Sequence, residues 1–139
     1  MHTTMFFRKQ EDGLQIFVKG WELYREIISH NYMNHAEVIT ALRGVAGQLE
    51  SDELRVLEVG CGDSYAISQA LAKYQRASYT GVDMSEHALT YAQRNLAPLD
   101  WKLDLRAENM FNAVKEVPGP FDLILGGYSL HHFGSDRKA

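Results

Sequence analysis

The spacing of apolar and polar positions changes character near residue 54. Before it, apolar side chains recur every three or four residues. Phe17, Trp21, Tyr24 and Ile28 do so within residues 14–32 and predict an amphipathic helix. Val38, Leu42, Val45 and Leu49 predict a second one. Asn34 stands at its start with Glu37 three residues on, the spacing of a capping box. Beyond residue 54, short apolar runs alternate with helical stripes. Leu54–Val59 has no helical period and predicts a buried strand. Ile67, Ala70, Leu71 and Tyr74 form a helical stripe, and Ala77–Val82 a second strand ending in Asp83. Ser85 is placed to cap a third stripe of Ala88, Leu89, Ala92 and Leu96, which Pro98 closes. Trp101–Arg106 alternates strictly, as a half-exposed edge strand does. A short helix near 110–117, a Pro118-Gly119-Pro120 turn and a fourth strand over Phe121–Leu125 complete the pattern.

Two helices followed by β-α-β-α-β-α-β predict an α/β protein. Strands joined by helical crossovers run parallel. Their C-terminal ends then line one edge of the sheet, where ligands of such folds are held. The division expected is a helical cap over residues 1–50 and an α/β domain over 51–139.

Composition narrows the function classes. The 139 residues, 45% hydrophobic and 23% charged, suit one soluble globular domain. A net charge of -4 argues against a general nucleic-acid or membrane-surface binder, since both need a positive field. Cys61 is the only cysteine, so no intrachain disulfide forms, and a reducing cytoplasm is the expected setting. The N-terminus lacks the apolar core of a signal peptide, and no run approaches the ~20 apolar residues of a membrane span.

The chemistry centres on Val56-Leu57-Glu58-Val59-Gly60-Cys61-Gly62-Asp63-Ser64, a strand running into a two-glycine turn and a helix. The glycines permit a sharp turn and a close backbone approach by a ligand. Asp63 or Ser64 is placed to cap the helix. A dinucleotide fingerprint would need glycine at position 65, where Tyr65 stands. Asp83 does fit the strand-end acid that holds a ribose. A pyrophosphate, however, disfavours carboxylates beside the turn, and Glu58 and Asp63 flank it. The pattern favours a ligand carrying both a ribose and positive charge.

Three stretches, in order, resemble the motifs of the class I S-adenosylmethionine-dependent methyltransferases. Val56–Gly62 looks like the first motif, Gly81-Val82-Asp83-Met84-Ser85 like the second-strand motif, and Phe121–Leu125 through Leu130-His131-His132-Phe133 like the fourth-strand motif. The resemblance covers roughly residues 54–133. It implies a three-layer Rossmann-like sheet in strand order 3-2-1-4, with S-adenosyl-L-methionine as cofactor. It implies that Glu58 helps place the ligand's ammonium and that Gly60, Cys61 and Gly62 lie under its methionine and ribose. Asp83 would take the ribose hydroxyls and Met84 would pack on the adenine. Asn109, followed by Met110 and preceded by Glu108, matches the position that commonly carries an Asp accepting from the adenine amino group. Gly126 and Gly127 would let the fourth-strand turn approach the methionine.

Blander readings stand beside these. The glycines serve as a tight turn alone, Glu58 as an ion-pair partner, Asn109 as an ordinary turn residue. Cys61 reads as a small residue in a crowded turn rather than a nucleophile. Adjacent histidines make no metal site without a third ligand. His131 and His132 are the foremost candidates for a general base, followed by His30 and Tyr32. The Asn/Asp-Pro-Pro-aromatic motif used on amino groups of bases and glutamine is absent, which points the reaction toward a small-molecule acceptor. The family's sheet usually has seven strands, whereas this chain ends soon after its fourth. A fragment of a longer protein, a fourth strand paired across a dimer or with a second chain, and a reduced inactive relative compete as explanations. Ser135-Asp136-Arg137-Lys138-Ala139 reads as the opening of another helix and favours the fragment. Two other functions remain open: a non-catalytic cofactor-binding or scaffold module pairing through its open sheet edge, and an NAD-type oxidoreductase, which Tyr65 and the acidic flanks disfavour.

Overall fold

The computed structural model describes residues 19–31 and 33–127. Two compact units divide the chain, Met1–Val38 and Ile39–Ala139. In the first, residues 19–29 form helix α1. Helix α2, His35–Ala46, begins in the first unit and ends in the second. The start of α2 differs from the capping box expected of Asn34 and Glu37. Asn34 takes a left-handed φ of 57°. The side chain of Asn31 does the capping instead: its Oδ1 accepts from Ala36 N–H at 2.8 Å, and its Nδ2 donates to the Glu37 carboxylate at 3.0 Å.

The second unit holds a four-stranded parallel sheet in the order β3-β2-β1-β4, as expected. The strands are β1 Leu54–Val59, β2 Ala77–Asp83, β3 Lys102–Ala107 and β4 Leu123–Leu125. Helices α3 Tyr65–Ala70, α4 Glu86–Leu96 and α5 Met110–Glu116 are the crossovers. β1 is apolar on both faces because both are covered. On one face Leu54 and Val56 join Ile67 of α3, Leu71 at its C-cap, Tyr79 of β2, and Leu89 and Leu96 of α4, with Ile39 and Leu42 of α2 packed alongside. On the other, Leu57 and Val59 meet Val82 and Ala113 of α5. This gives the three layers. β3 alternates exposed and partly covered residues, as an edge strand should.

Local hydrogen bonds fix the ends of these elements. Ser85 caps α4 as expected, its Oγ accepting from Ala88 N–H at 3.2 Å. β4 is shorter than its apolar run because Asp122 is used as a clamp. Its N–H donates to Arg55 O and its Oδ2 accepts from Arg55 N–H, both at 2.8 Å. At the opposite end of the sheet from the glycine turn, the Trp101 indole donates to Tyr74 O and the Tyr74 hydroxyl to Ala46 O.

Core truncation should therefore be felt far more than change on β4. Leu96→Ala, at a fully buried site, should lower stability by about 2–5 kcal/mol. Ile124→Thr, at a side chain 64% exposed, should stay within roughly 0.5 kcal/mol. Urea unfolding of the two variants measures the contrast.

Candidate functional site

The strand order reverses direction at β1. The chain leaves β1 for β2 and β3 on one side, then returns to place β4 on the other. The crevice at such a switch point, at the C-terminal strand ends, is where open α/β sheets hold ligands. Gly60-Cys61-Gly62 follows β1 there, and Gly126-Gly127 follows β4.

The turn after β1 is built from backbone that side chains resist. Gly60 and Gly62 have φ of 65° and 55°, and Ser64 joins them at 54°. Cys61 N–H bonds to Val82 O at 3.0 Å, tying the turn to the end of β2. Asp83 strengthens that tie. Its Oδ2 accepts from Gly62 N–H and its Oδ1 from Ser85 N–H, both at 2.9 Å. A carboxylate oxygen has capacity for more than one donor, so Asp83 is oriented by the backbone with acceptor capacity left over. Asp63 caps α3 through its Oδ1, which accepts from Tyr65 N–H at 3.1 Å. From α4, Asn95 Nδ2 donates to Asp63 O at 2.8 Å.

Ser64 does not cap α3 with its side chain, although the sequence offered it for that role. Its hydroxyl lies 2.7 Å from the hydroxyl of Tyr79. Tyr79 in turn donates to Glu58 Oε2 at 2.6 Å. A buried phenol needs a hydrogen-bond partner, and here it has two. Glu58, one residue before the end of β1, is half-buried. Burial pushes its pKa up to about 7, helped by the charges of Asp63 and Asp83 and opposed by the Tyr79 bond. Tyr79 itself is held well above the ordinary phenol value, first by burial and then by the Glu58 charge. Burial and the Glu58 charge likewise push the Cys61 thiol up to about 12. Its sulfur is therefore a protonated, poorly nucleophilic group.

The other expected residues fall as follows. Met84 lies just past Asp83 with 74% of its surface exposed, uncommon for so large an apolar side chain. Asn109 caps α5, with Oδ1 accepting from Phe111 N–H at 2.9 Å. Glu108 precedes it, its N–H bonded to Asp83 O and its carboxylate 3.7 Å from Arg106. Met110 is half-buried against the α5 face of the sheet. His30 is exposed in the first unit, its Nδ1 2.9 Å from Glu26 O. His131, His132 and Tyr32 lie outside the described residues. Sequence reasoning passed over Tyr79 and Asn95. The available signal for Tyr79 was a hydroxyl in a strand read as buried, two residues from Gly81 and so on its face.

A parallel sheet in the order β3-β2-β1-β4, with helices on both faces and a glycine turn at its switch point, defines a Rossmann-like protein. Residues 57–139 match a family described as a methyltransferase domain, and the chain belongs to that family. Among its relatives is a ubiquinone biosynthesis O-methyltransferase of Dechloromonas aromatica (strain RCB), 35% identical over 78 residues, which are 56% of this chain and 33% of that protein. A fatty-acid O-methyltransferase of Mycolicibacterium smegmatis is 29% identical over 98 residues, 67% of this chain and 33% of that one. The chain thus spans about a third of the length of the curated relatives it matches. A solved structure from Methanococcus maripaludis, described as a candidate S-adenosyl-L-methionine-dependent methyltransferase, superposes with a TM-score of 0.55 at 22% identity. It covers 79% of this chain and 49% of its own, and it supports the fold.

The raised Glu58 pKa has a consequence for stability. Between the ordinary carboxylate value of 4.5 and about 7, the folded chain keeps a proton that the unfolded chain has released. Stability therefore falls as pH rises through that window. Glu58→Gln removes the titration while keeping an acceptor for Tyr79. Its stability advantage over the parent should be about 2–3 kcal/mol larger at pH 8 than at pH 5. Urea unfolding at the two pH values checks it.

Proposed function

We propose that this chain is the cofactor-holding portion of an S-adenosyl-L-methionine-dependent methyltransferase that acts on a small-molecule acceptor in the cytoplasm. The observation that carries the reading is Asp83, aimed by Gly62 N–H and Ser85 N–H at the edge of a glycine turn that two more carboxyl groups flank. That arrangement repels a phosphate and suits a ribose joined to a cation.

The residues present fit this cofactor. Asp83 accepts from the ribose hydroxyls. Glu58 faces the positively charged end. The bare backbone of Gly60, Cys61 and Gly62 allows close approach. The exposed Met84 covers one face of the adenine, and the segment of Glu108, Asn109 and Met110 borders its edge. Asn109 already gives one lone pair to its cap, so Glu108 is the stronger acceptor for the adenine amino group there. Gly126 and Gly127 border the methionine end. When bound, the cofactor supplies a sulfonium that activates a methyl group for in-line transfer. The chain's residues then contribute alignment and proximity, and His131 or His132 serves as base where the acceptor carries a proton. The relatives' names favour an oxygen acceptor. We assign residues 51–139 to the cofactor-binding domain and 1–50 to a helical cap.

A second reading keeps the cofactor pocket without catalysis and uses the sheet edge for a partner. The exposed Ile124 on the outermost described strand favours it. Methyl release from labelled cofactor onto phenolic and carboxylic acceptors separates the two.

Calorimetric titration with S-adenosylhomocysteine tests the proposal. The protein should bind it and not NAD. Asp83→Ala should weaken binding roughly 10- to 100-fold, the effect of losing hydrogen bonds to a charged group. A folded protein that binds no S-adenosylhomocysteine would refute the reading.

A further inference from the structure

The hydroxyl of Tyr79 has an unusual position. It is among the largest fully buried side chains of the protein, yet its oxygen reaches the functional edge of the sheet. The ring gets there by lying across Gly81, the next residue on the same strand face. A Cβ at Gly81 would come within 2.7 Å of Tyr79 Cε1, and within 3.1 Å of Cys61 Sγ and Leu105 Cδ2. Gly81 is also the register partner of Glu58 across the β1–β2 pair. The missing side chain thus opens a channel along the sheet surface, directed at the Glu58 carboxyl and filled by the phenol.

The far end of that phenol joins two parts of the site that the backbone leaves separate. One is Glu58, the last acid of β1. The other is Ser64, held at a φ of 54° as α3 begins. With Tyr79 donating to Glu58 at 2.6 Å, the Ser64 hydroxyl donates to the phenol oxygen at 2.7 Å. Hydrogen bonds polarised in one direction reinforce one another in a low-dielectric setting.

We propose that Tyr79 is a positioning residue for the cofactor site, fixing the direction of the Glu58 carboxylate and the left-handed start of α3 through one hydroxyl in the space left by Gly81. Its significance for ligand binding rests on the function proposed above. The coupling between Tyr79 and Glu58 does not.

Among the described residues, the charged groups acting on Glu58 are Asp63 in the turn and Asp83 at the end of β2, with the neutral Tyr79 donating to it and the Cys61 thiol beside them. Its register partner on β4 is the apolar Leu125. Tyr79 is thus the group in this set that favours the ionised carboxylate.

The test uses Tyr79→Phe, which keeps the ring and removes one oxygen, and Gly81→Ala, which keeps the hydroxyl and displaces the ring. Side-chain carboxyl 13C NMR, with Glu58→Gln to assign the signal, follows the Glu58 titration in ligand-free protein. Both variants should move its midpoint upward, since a donor to the carboxylate is lost or misplaced. Both should also weaken S-adenosylhomocysteine about tenfold at pH 7, with the loss shrinking as pH rises and the carboxylate ionises. A Glu58 midpoint unmoved in Tyr79→Phe overturns the inference, whatever the ligand result. A midpoint that moves upward in a protein whose parent binds no S-adenosylhomocysteine upholds the coupling and refutes the function proposed above. Equal weakening at every pH with an unmoved midpoint marks a packing role and also overturns it.

Discussion

Two hydrogen bonds to one carboxylate hold the functional edge together. Asp83 takes the amide of Gly62 from the turn after β1 and the amide of Ser85 from the turn after β2. The two turns belong to adjacent parallel strands, and parallel pairing fixes their separation but not their orientation. The carboxylate supplies the orientation. It also relieves the turn of amide groups that would otherwise need water. With those amides occupied by a fixed negative charge, the turn no longer presents the anion-binding face common to glycine-rich strand-helix turns. Ligand preference is therefore set partly inside the protein, by what its own backbone donors already hold.

The same acidity runs against the fold. Glu58, Asp63 and Asp83 converge on a few residues, and burial raises the Glu58 pKa. A hydrophobic pair in its place would pack more comfortably. Among the described residues, neutral groups donate to all three: a phenol to Glu58, backbone amides to Asp83, and the Tyr65 amide to Asp63. Such donors steady the carboxyl groups without cancelling their charge. Sites that need altered protonation commonly sacrifice local stability in this way.

Much of this was legible in the sequence, because its strongest signals are local. The run of Leu54–Val59 before two glycines placed β1 and its turn. Ser85 announced its cap, and strict alternation placed β3 at an edge. The strand order came from resemblance, since no local pattern distinguishes the sides of β1. What stayed hidden depended on partners far apart in the chain. Ser64 looks like a cap for α3, but a phenol fifteen residues away takes its hydroxyl. Asn34 looks like the cap of α2, but its own backbone is left-handed and Asn31 supplies the side chain. Asx residues accept several local geometries, so spacing cannot choose between two of them three positions apart. Asn109 was read for an adenine-facing carbonyl, whereas its observed role is the cap of α5, accepting from Phe111 N–H. Asp122 reads as part of a strand, yet its clamp on Arg55 shortens β4 to three residues.

Cys61 is the sole cysteine of the chain, and it sits inside the turn that defines the site. Only 6% of it is exposed, and its thiol is held in the protonated form first by burial and then by the charge of Glu58. Electrophilic reagents meet a thiolate there only after the turn has swung away from β2 and water has entered. The rate of alkylation in native buffer is then a clock for that opening, with no engineered probe required. A ligand seated on the turn would slow the clock in proportion to its occupancy, so one natural sulfur reports both the breathing of the site and its filling.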